Sequence, residues 1–107
     1  MTIAELRKYP QYERRLKKLL TENNDANIGE IVRLRRCMEN IKEYIQRCER
    51  DAESAYIGAI LRTHYIDGEK WQYIAGMLGE SKDALRKRCA RFVNGDKEPQ
   101  YKRKNAP

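Results

Sequence analysis

One apolar seam constrains the fold of this chain more than any other feature of its sequence. Its members recur at intervals of three, four, three, four and three residues: Ile31, Leu34, Met38, Ile41, Ile45 and Cys48. This spacing is typical of a helix that packs lengthwise against another helix. Asn27 and Glu30 have the spacing of an N-cap and its partner, so we predict a helix over residues 28–49.

The residues before this seam predict a second helix that runs in the opposite direction. Residues 10–22 carry an apolar stripe, and a proline at position 10 suits a first helical turn. Thr2 and Glu5 form a capping pair ahead of a short helix over residues 3–8. The polar segment 23–27 is of suitable length to reverse the chain. We therefore predict an antiparallel helical hairpin within residues 1–50.

The two arms of this predicted hairpin differ in length. As helices, residues 28–49 span about 33 Å and residues 10–22 about 20 Å. Part of the apolar seam therefore needs another cover: the segment 3–8, the C-terminal half of the chain, or a second copy of the chain. The last of these predicts a homodimer, with residues 1–50 as its dimerisation element.

The spacing of apolar residues in the second half predicts three shorter helices. The first covers residues 52–65, with Asp51 as its N-cap, and ends near Gly68. The second begins at Trp71 and ends before Gly79. With the N-terminal hairpin, these helices predict an all-α fold class.

The last predicted helix begins after Ser81, a good N-cap residue, and covers about eleven residues. Its inward side chains are Leu85, Cys89 and Phe92. Residues 94–107 are polar, basic and rich in helix breakers, which predicts a flexible tail after a domain of residues 51–93.

Composition and charge narrow the classes of function. The chain has 107 residues, 23 Lys and Arg against 16 Asp and Glu, and a net charge of +7. This length disfavours a large enzyme with a cleft between lobes, and the charge favours a polyanionic partner. Three cysteines without a C-x-x-C pair and a single histidine, His64, disfavour a disulfide framework and the usual zinc sets. We expect no cofactor, no metal and no catalytic residue.

The sequence also bears on the location of the protein. No window approaches 18 apolar residues, and the N-terminus has no apolar signal core. We therefore expect a cytoplasmic protein with no membrane partner.

Two short helices joined by a tight glycine-containing turn predict a helix-turn-helix unit. Ala75 is small where the two helices cross, Gly79 makes the turn, and five apolar side chains hold the second helix in place: Trp71, Ile74, Leu78, Leu85 and Phe92. The second helix carries five basic residues that we expect to contact double-stranded DNA: Lys82, Arg86, Lys87, Arg88 and Arg91. In the tail, further candidates for phosphate contact are Lys102, Arg103 and Lys104.

Residues 60–92 resemble a known group of proteins. The matching positions are Tyr65-Ile66-Asp67-Gly68, Trp71, Ile74-Ala75, Leu78-Gly79, Ser81, Arg86-Lys87-Arg88 and Arg91-Phe92. The segment is similar to the helix-turn-helix of sigma factor region four in small phage and prophage regulators of Gram-positive bacteria, including the RinA and ArpU types. The resemblance implies DNA binding in the control of phage late genes or lysogeny.

Two positions depart from the pattern of these regulators. His64 stands where many of them have arginine, and Arg88 stands where the fold usually has an inward aliphatic residue. The second departure predicts that the last helix is rotated so that Cys89 faces inward.

Together these features predict a sequence-specific DNA-binding transcriptional regulator of phage or mobile-element origin, acting in a bacterial host and without enzymatic activity. RNA polymerase is a further candidate partner. Two alternatives stay open. One is a phage small terminase subunit that recognises the packaging site as a ring, and the other is a host-protein-binding factor, such as an anti-CRISPR, whose basic helix meets an acidic protein.

Overall fold

The computed structural model describes residues 1–22 and 24–95, and it confirms the predicted all-α class. In chain order the elements are α1 (Ile3–Arg7), α2 (Tyr9–Glu22), a 3₁₀ turn (Asp25–Asn27), α3 (Ile28–Arg50), α4 (Ala55–Leu61), a π-helical turn (Arg62–Ile66), α5 (Trp71–Leu78) and α6 (Lys82–Gly95). Among the described residues, none of the helices combines the length and the apolar character that a membrane span requires. The predicted tail contacts at Lys102, Arg103 and Lys104 lie outside the described residues.

The N-terminal helix α1 is short but anchored at both of its ends. The Glu5 N–H donates to the Thr2 hydroxyl at 3.2 Å, and the Thr2 N–H donates to the Glu5 carboxylate at 2.9 Å, which confirms the predicted capping pair. Ile3 and Leu6 are buried in the main core. The Ile3 N–H also donates to the side-chain oxygen of Asn94 at 3.0 Å. Helix α1 is therefore fixed against α6.

Helices α2 and α3 pack side by side and run in opposite directions. Arg15 donates two hydrogen bonds to Glu30, near the start of α3, at 3.0 and 3.2 Å. The side chain of Tyr12, which precedes Arg15 in α2, lies near that of Cys37, which lies farther along α3. Because the order of contacts reverses between the two helices, they are antiparallel.

Asn27 is the N-cap of α3 by position, as predicted, but the expected capping bonds of its side chain are absent. Its backbone is right-handed helical (φ −89°, ψ −1°) and not extended, and its side-chain amide nitrogen donates to the Glu22 carboxylate at 3.1 Å. Glu30, the expected partner in the capping box, is held by Arg15 instead. The turn is organised by Asn24, whose side-chain oxygen accepts from the Ala26 N–H at 2.9 Å. Both asparagines suit a cap by type, and only the packing of the hairpin decides between them.

Four members of the α3 seam are buried within the chain, and the other two, Ile31 and Met38, are half-buried. Leu34 is buried towards the tip of the hairpin, whereas Ile41, Ile45 and Cys48 belong to the main core, together with side chains from α1, α4, α5 and α6. Two of the three covers that the sequence allows, the segment 3–8 and the C-terminal half, are therefore in use. The four buried members have their cover within the chain, and homodimerisation stays a prediction.

The junction after α3 differs from its prediction. A helix beginning at residue 52 is wrong, because α4 begins at Ala55. The Asp51 backbone is extended (φ −84°, ψ 122°), and its carboxylate accepts from the Glu53 N–H at 2.9 Å. This turn uses the oxygen that would otherwise cap a helix. The buried Ser54 hydroxyl donates to the Cys48 carbonyl at 2.8 Å and fastens the turn to the end of α3.

Helix α4 approaches α3 more closely than a side chain at Gly58 would allow. A Cβ at position 58 would lie 2.7 Å from the Glu49 nitrogen and 3.0 Å from the Cys48 carbonyl carbon. Beside this contact, Arg62 donates to both carboxylate oxygens of Glu49, at 2.7 and 2.9 Å. These hydrogen bonds lower the pKa of the Glu49 carboxyl. The paired, charge-assisted geometry is the strong form of such a contact.

Two glycines end the helices that follow, as the sequence predicts. Gly68 (φ +81°) follows the π-helical turn, in which the Asp67 N–H donates to the Arg62 carbonyl at 2.9 Å. Gly79 (φ +68°) ends α5 and opens the three-residue turn to α6. Both glycines adopt the left-handed conformation, which costs other residues free energy.

Helix α6 is longer than predicted. It has 14 residues and includes Asn94 and Gly95, which the sequence assigned to the tail. Cys89 faces inward with no exposed area, as predicted. The next inward residue is Val93, whereas Phe92, which the sequence placed inward, is only half-buried. Both positions fit the helical period, and the packing of the folded chain buries Val93.

Candidate nucleic-acid interface

The rotation of α6 decides where its basic residues lie. Leu85, Cys89 and Val93, each four residues from the next, are fully buried and define its inner side. Cys89 is not a candidate nucleophile, because burial raises the pKa of its thiol to about 11. With this inner side fixed, the five basic residues of the predicted site are distributed over three different parts of the helix surface.

The first part faces α1 and forms a groove of about 380 Å³, which we call the α1–α6 groove. Its polar and aromatic lining consists of Arg7, His64, Tyr65, Trp71, Asp83, Arg86 and Lys87. Asp83 is the acidic member of this lining. It lies 3.8 Å from Arg86, and both side chains are about half exposed or more, so this ion pair is long and well solvated.

An aromatic stack forms the floor of the α1–α6 groove. The His64 ring lies against the Trp71 indole, with 4.1 Å between centroids and 27° between planes. His64 Nδ1 lies 2.7 Å from the Glu69 carbonyl, so in the neutral ring Nδ1 carries the proton and donates it there. Burial lowers the pKa of His64, and the nearby Arg86 and Arg7 cations lower it further. Both arginines therefore act on the same ring.

A second basic depression adjoins the groove. It has a volume of about 330 Å³ and is lined by Lys70 and Gln72 at the start of α5 and by Lys82 and Arg86 of α6. His64 and Trp71 line it as well, so the two depressions share one aromatic floor. The predicted site residue Lys82 therefore lies next to Arg86, at the end of α6 nearest to the turn.

The outer side of α6 carries two further cations of the predicted site, Lys87 and Arg91. They are four residues apart, about 40° around the helix, and both are exposed. Arg91 also borders a shallow depression with Ala90 and Asn94. Lys87 lies at the rim of the α1–α6 groove, and it therefore connects the groove to the outer side.

Arg88 lies on the opposite side of α6, which faces α4. Its guanidinium forms an ion pair with Glu80 and lies 5.7 Å from the centre of the Tyr56 ring. The Tyr56 hydroxyl donates to the other Glu80 oxygen at 2.6 Å, and this hydrogen bond raises the pKa of Tyr56. We call these three residues the Tyr56–Glu80–Arg88 network. It joins α4, the turn and α6, and it separates Arg88 from the other four predicted site residues.

The predicted apolar support of α6 is only partly in place. Ile74, Ala75 and Leu85 are buried. Trp71 and Phe92 are half-buried, and Leu78, which the sequence placed inward, is 38% exposed. Leu78 is the last residue of α5 and directly precedes the Gly79 turn.

Sequence reasoning missed Arg7. No local pattern marks it, because its place in the groove depends on α1 being packed against α6. The described residues include no group of three His, Cys, Asp or Glu side chains that could hold a metal ion. The arrangement offers cations around an aromatic floor, which suits the binding of anions and provides no nucleophile with an adjacent base.

Comparison with protein-family models, curated proteins and solved structures finds no match to this chain.

Proposed function

We propose that this protein is a sequence-specific DNA-binding transcriptional regulator that places α6 in the major groove. The observation that carries the proposal is a set of cations on α6 and the adjoining α1 that the fold leaves without a close ion-pair partner. Among the described residues, Arg7, Lys82, Lys87 and Arg91 have no ion-pair partner, and Arg86 has only the long contact with Asp83. A surface on which so few cations are paired with carboxylates favours the binding of a polyanion.

The form of the surface supports double-stranded DNA as that polyanion. Helices α5 and α6, joined by the turn at Gly79, match the order and spacing of a helix-turn-helix unit. An α-helix fits the major groove, where arginine and lysine address guanine. We assign base contacts to Lys87 and Arg91 on the outer side, and phosphate contacts to Lys82 and Arg86.

The resemblance of residues 60–92 to sigma factor region four supports the same role. It favours a regulator of phage or mobile-element origin in a bacterial cytoplasm, with RNA polymerase as a candidate second partner. Arg88 is left out of the proposed DNA contacts because Glu80 and Tyr56 already engage it. No reaction is proposed.

The first experiment is the selection of bound fragments from a pool of genomic DNA. A regulator enriches a small set of fragments that share a sequence. Enrichment of no fragment, or of all fragments equally at physiological salt, would contradict sequence-specific binding. The selected fragment then serves as the probe for variants.

The matched variants are Arg86→Ala with Lys87→Ala, and Arg35→Ala with Arg36→Ala. Each pair removes two exposed arginine or lysine charges, the first from α6 and the second from α3. We expect the first pair to lower affinity for the selected DNA about 100-fold or more, since each contact of this kind contributes about 1–3 kcal/mol. The second pair should change it less than about threefold. Equal losses in both would mean that only total charge matters.

The two other classes of function give distinct outcomes in the same preparations. A ring of eight or more copies in light scattering, with DNA bound, favours a small terminase subunit over a regulator. Failure to enrich DNA, combined with recovery of one acidic host protein from nuclease-treated lysate, favours an interaction protein. Either result would replace the proposed function.

A further inference from the structure

We infer that the α1–α6 groove is a phosphate-binding site, in which Arg7 of α1 and Arg86 of α6 bind one phosphodiester of the DNA backbone. The inference rests on the proposed function and deepens it. It extends the DNA-binding surface to α1, an element that lies outside the helix-turn-helix unit and almost at the other end of the described chain.

The position of Arg7 is built into the fold. A helix of five residues is not stable alone, yet α1 has a complete capping box, two buried side chains and a hydrogen bond from Ile3 to Asn94. Ile3 itself lines the groove beside Ala90 of α6. Arg7, one turn after Ile3, is therefore held at the groove with little further loss of backbone freedom on binding.

The α1–α6 groove has an excess of positive charge, which favours binding of an anion. Arg7, Arg86 and Lys87 line it, against one carboxylate, Asp83. Arg7 and Arg86 both act on the His64 ring and on the neighbouring Tyr65 hydroxyl, whose pKa burial raises and the two cations lower. Like charges that face the same small space repel each other, and an anion between them removes that repulsion.

Phosphate is the anion that fits this chemistry best. The guanidinium fork matches two phosphate oxygens, and two forks from different elements can hold one phosphodiester from two sides. The volume of about 380 Å³ admits a backbone phosphate with its flanking sugar atoms. Lys87, which lines the groove, is exposed and lies one helical turn before the exposed Arg91. A backbone phosphate bound in the groove would therefore belong to the same DNA whose bases contact the outer side of α6.

The test is a scan of the selected DNA with single methylphosphonates, each of which removes the charge of one phosphate. The scan is carried out with the unmodified chain, with Arg7→Ala and with Lys8→Ala. Lys8 is an exposed cation next to Arg7 that does not line the groove, so it controls for loss of charge. Circular dichroism and melting verify that each variant is folded.

In the unmodified chain and in Lys8→Ala, we expect one methylphosphonate position to lower affinity about tenfold. In Arg7→Ala the overall affinity should fall by a similar factor for every sequence, and that one position should become silent. The slope of log K against log salt should become shallower by about 0.9 in Arg7→Ala. An unchanged profile in Arg7→Ala, with binding still sensitive to Arg86→Ala, overturns the inference and leaves the proposed function intact. Absence of any DNA binding by the unmodified chain overturns both.

A free phosphate is the other source of the same chemistry, and fluorescence separates the two. Trp71 is the single tryptophan of the chain and lines the groove, so its emission reports directly on occupation. We expect selected DNA to change the emission and millimolar inorganic phosphate to leave it unchanged at constant ionic strength. Two results together would assign the site to a free phosphate instead of DNA. Inorganic phosphate would change the Trp71 emission to saturation in the unmodified chain but not in Arg7→Ala, and the methylphosphonate profiles of these two proteins would not differ.

Discussion

Two arginines on opposite sides of α6 carry the same charge but differ in how closely a carboxylate pairs with them. On the side that faces α4, Arg88 is held by Glu80 and lies near the Tyr56 ring. On the side that faces α1, Arg86 shares a groove with Arg7 and has only a distant carboxylate. The two residues are separated by one position in the sequence. The net charge of a helix therefore predicts binding only after the charges that are neutralised within the fold are left out.

The α4 side belongs to a wider framework. Helix α4 supplies Tyr56, and α4 itself is fixed on α3 by the close approach at Gly58 and by the Arg62–Glu49 ion pair. The α1 side has no comparable set of paired charges among the described residues. We therefore expect changes on the α4 side to affect stability, and changes on the α1 side to affect binding.

The largest effect on this framework should come from Gly58→Ala. The new methyl group would meet backbone atoms of Glu49 and Cys48 at 2.7 and 3.0 Å, and backbone can yield only if the two helices separate. We expect a loss of about 2–3 kcal/mol in the free energy of unfolding, measured in urea, because overpacking outweighs the gain in helix propensity.

Gly76→Ala is the matched control. Position 76 lies within α5 and has no atom within 4 Å of a new Cβ, so the same change should stabilise the protein by about 0.5–1 kcal/mol. Equal effects at positions 58 and 76 would contradict the close contact between α3 and α4.

A smaller effect should come from Glu49→Gln, which weakens the ion pair with Arg62. Since water still reaches the Arg62 side chain, which is 37% exposed, we expect a loss of about 0.5–1 kcal/mol near pH 7. The pKa of Glu49 is lowered in the folded state, so its contribution is complete above the unfolded value of about 4.3 and is lost as pH falls through the folded value.

The measurement is the difference in unfolding free energy between the unmodified chain and Glu49→Gln as a function of pH. Glu53→Gln removes the same charge from the exposed turn before α4 and serves as control. The difference for Glu49→Gln should shrink towards zero in acid, whereas that for Glu53→Gln should stay near zero throughout. A difference that grows as pH falls would show that the ion pair does not stabilise the fold.

The parts of this fold that depend on near neighbours could be predicted from the sequence. The Thr2–Glu5 capping box and the left-handed turn at Gly79 each need only a few adjacent residues. Asp51 and Asn27 show where this approach fails. Each residue type suits either a helix cap or a turn. The choice depends on bonds that the folded chain makes around them, from Asn27 to Glu22 and from Ser54 to Cys48.

The candidate site divides in the same way. That α6 is basic and that Cys89 faces inward followed from composition and helical period. That Arg88 is engaged by Glu80, and that Arg7 joins Arg86, could not follow from the sequence alone. Both depend on how separate helices pack, and α1 reaches α6 across most of the chain length.

The separation of the two sides of α6 is tested most directly by comparing Arg86→Ala with Arg88→Ala on the same selected DNA. Both variants lose one positive charge from the same helix at nearly the same place in the sequence, so general electrostatic attraction changes equally. We expect Arg86→Ala to lower affinity about tenfold while melting stays within about 1 °C of the unmodified chain. Arg88→Ala should keep its affinity within about threefold and lower the melting temperature by about 3 °C. An Arg88→Ala variant that loses as much affinity as Arg86→Ala, at an unchanged melting temperature, would contradict the separation of the two sides of α6.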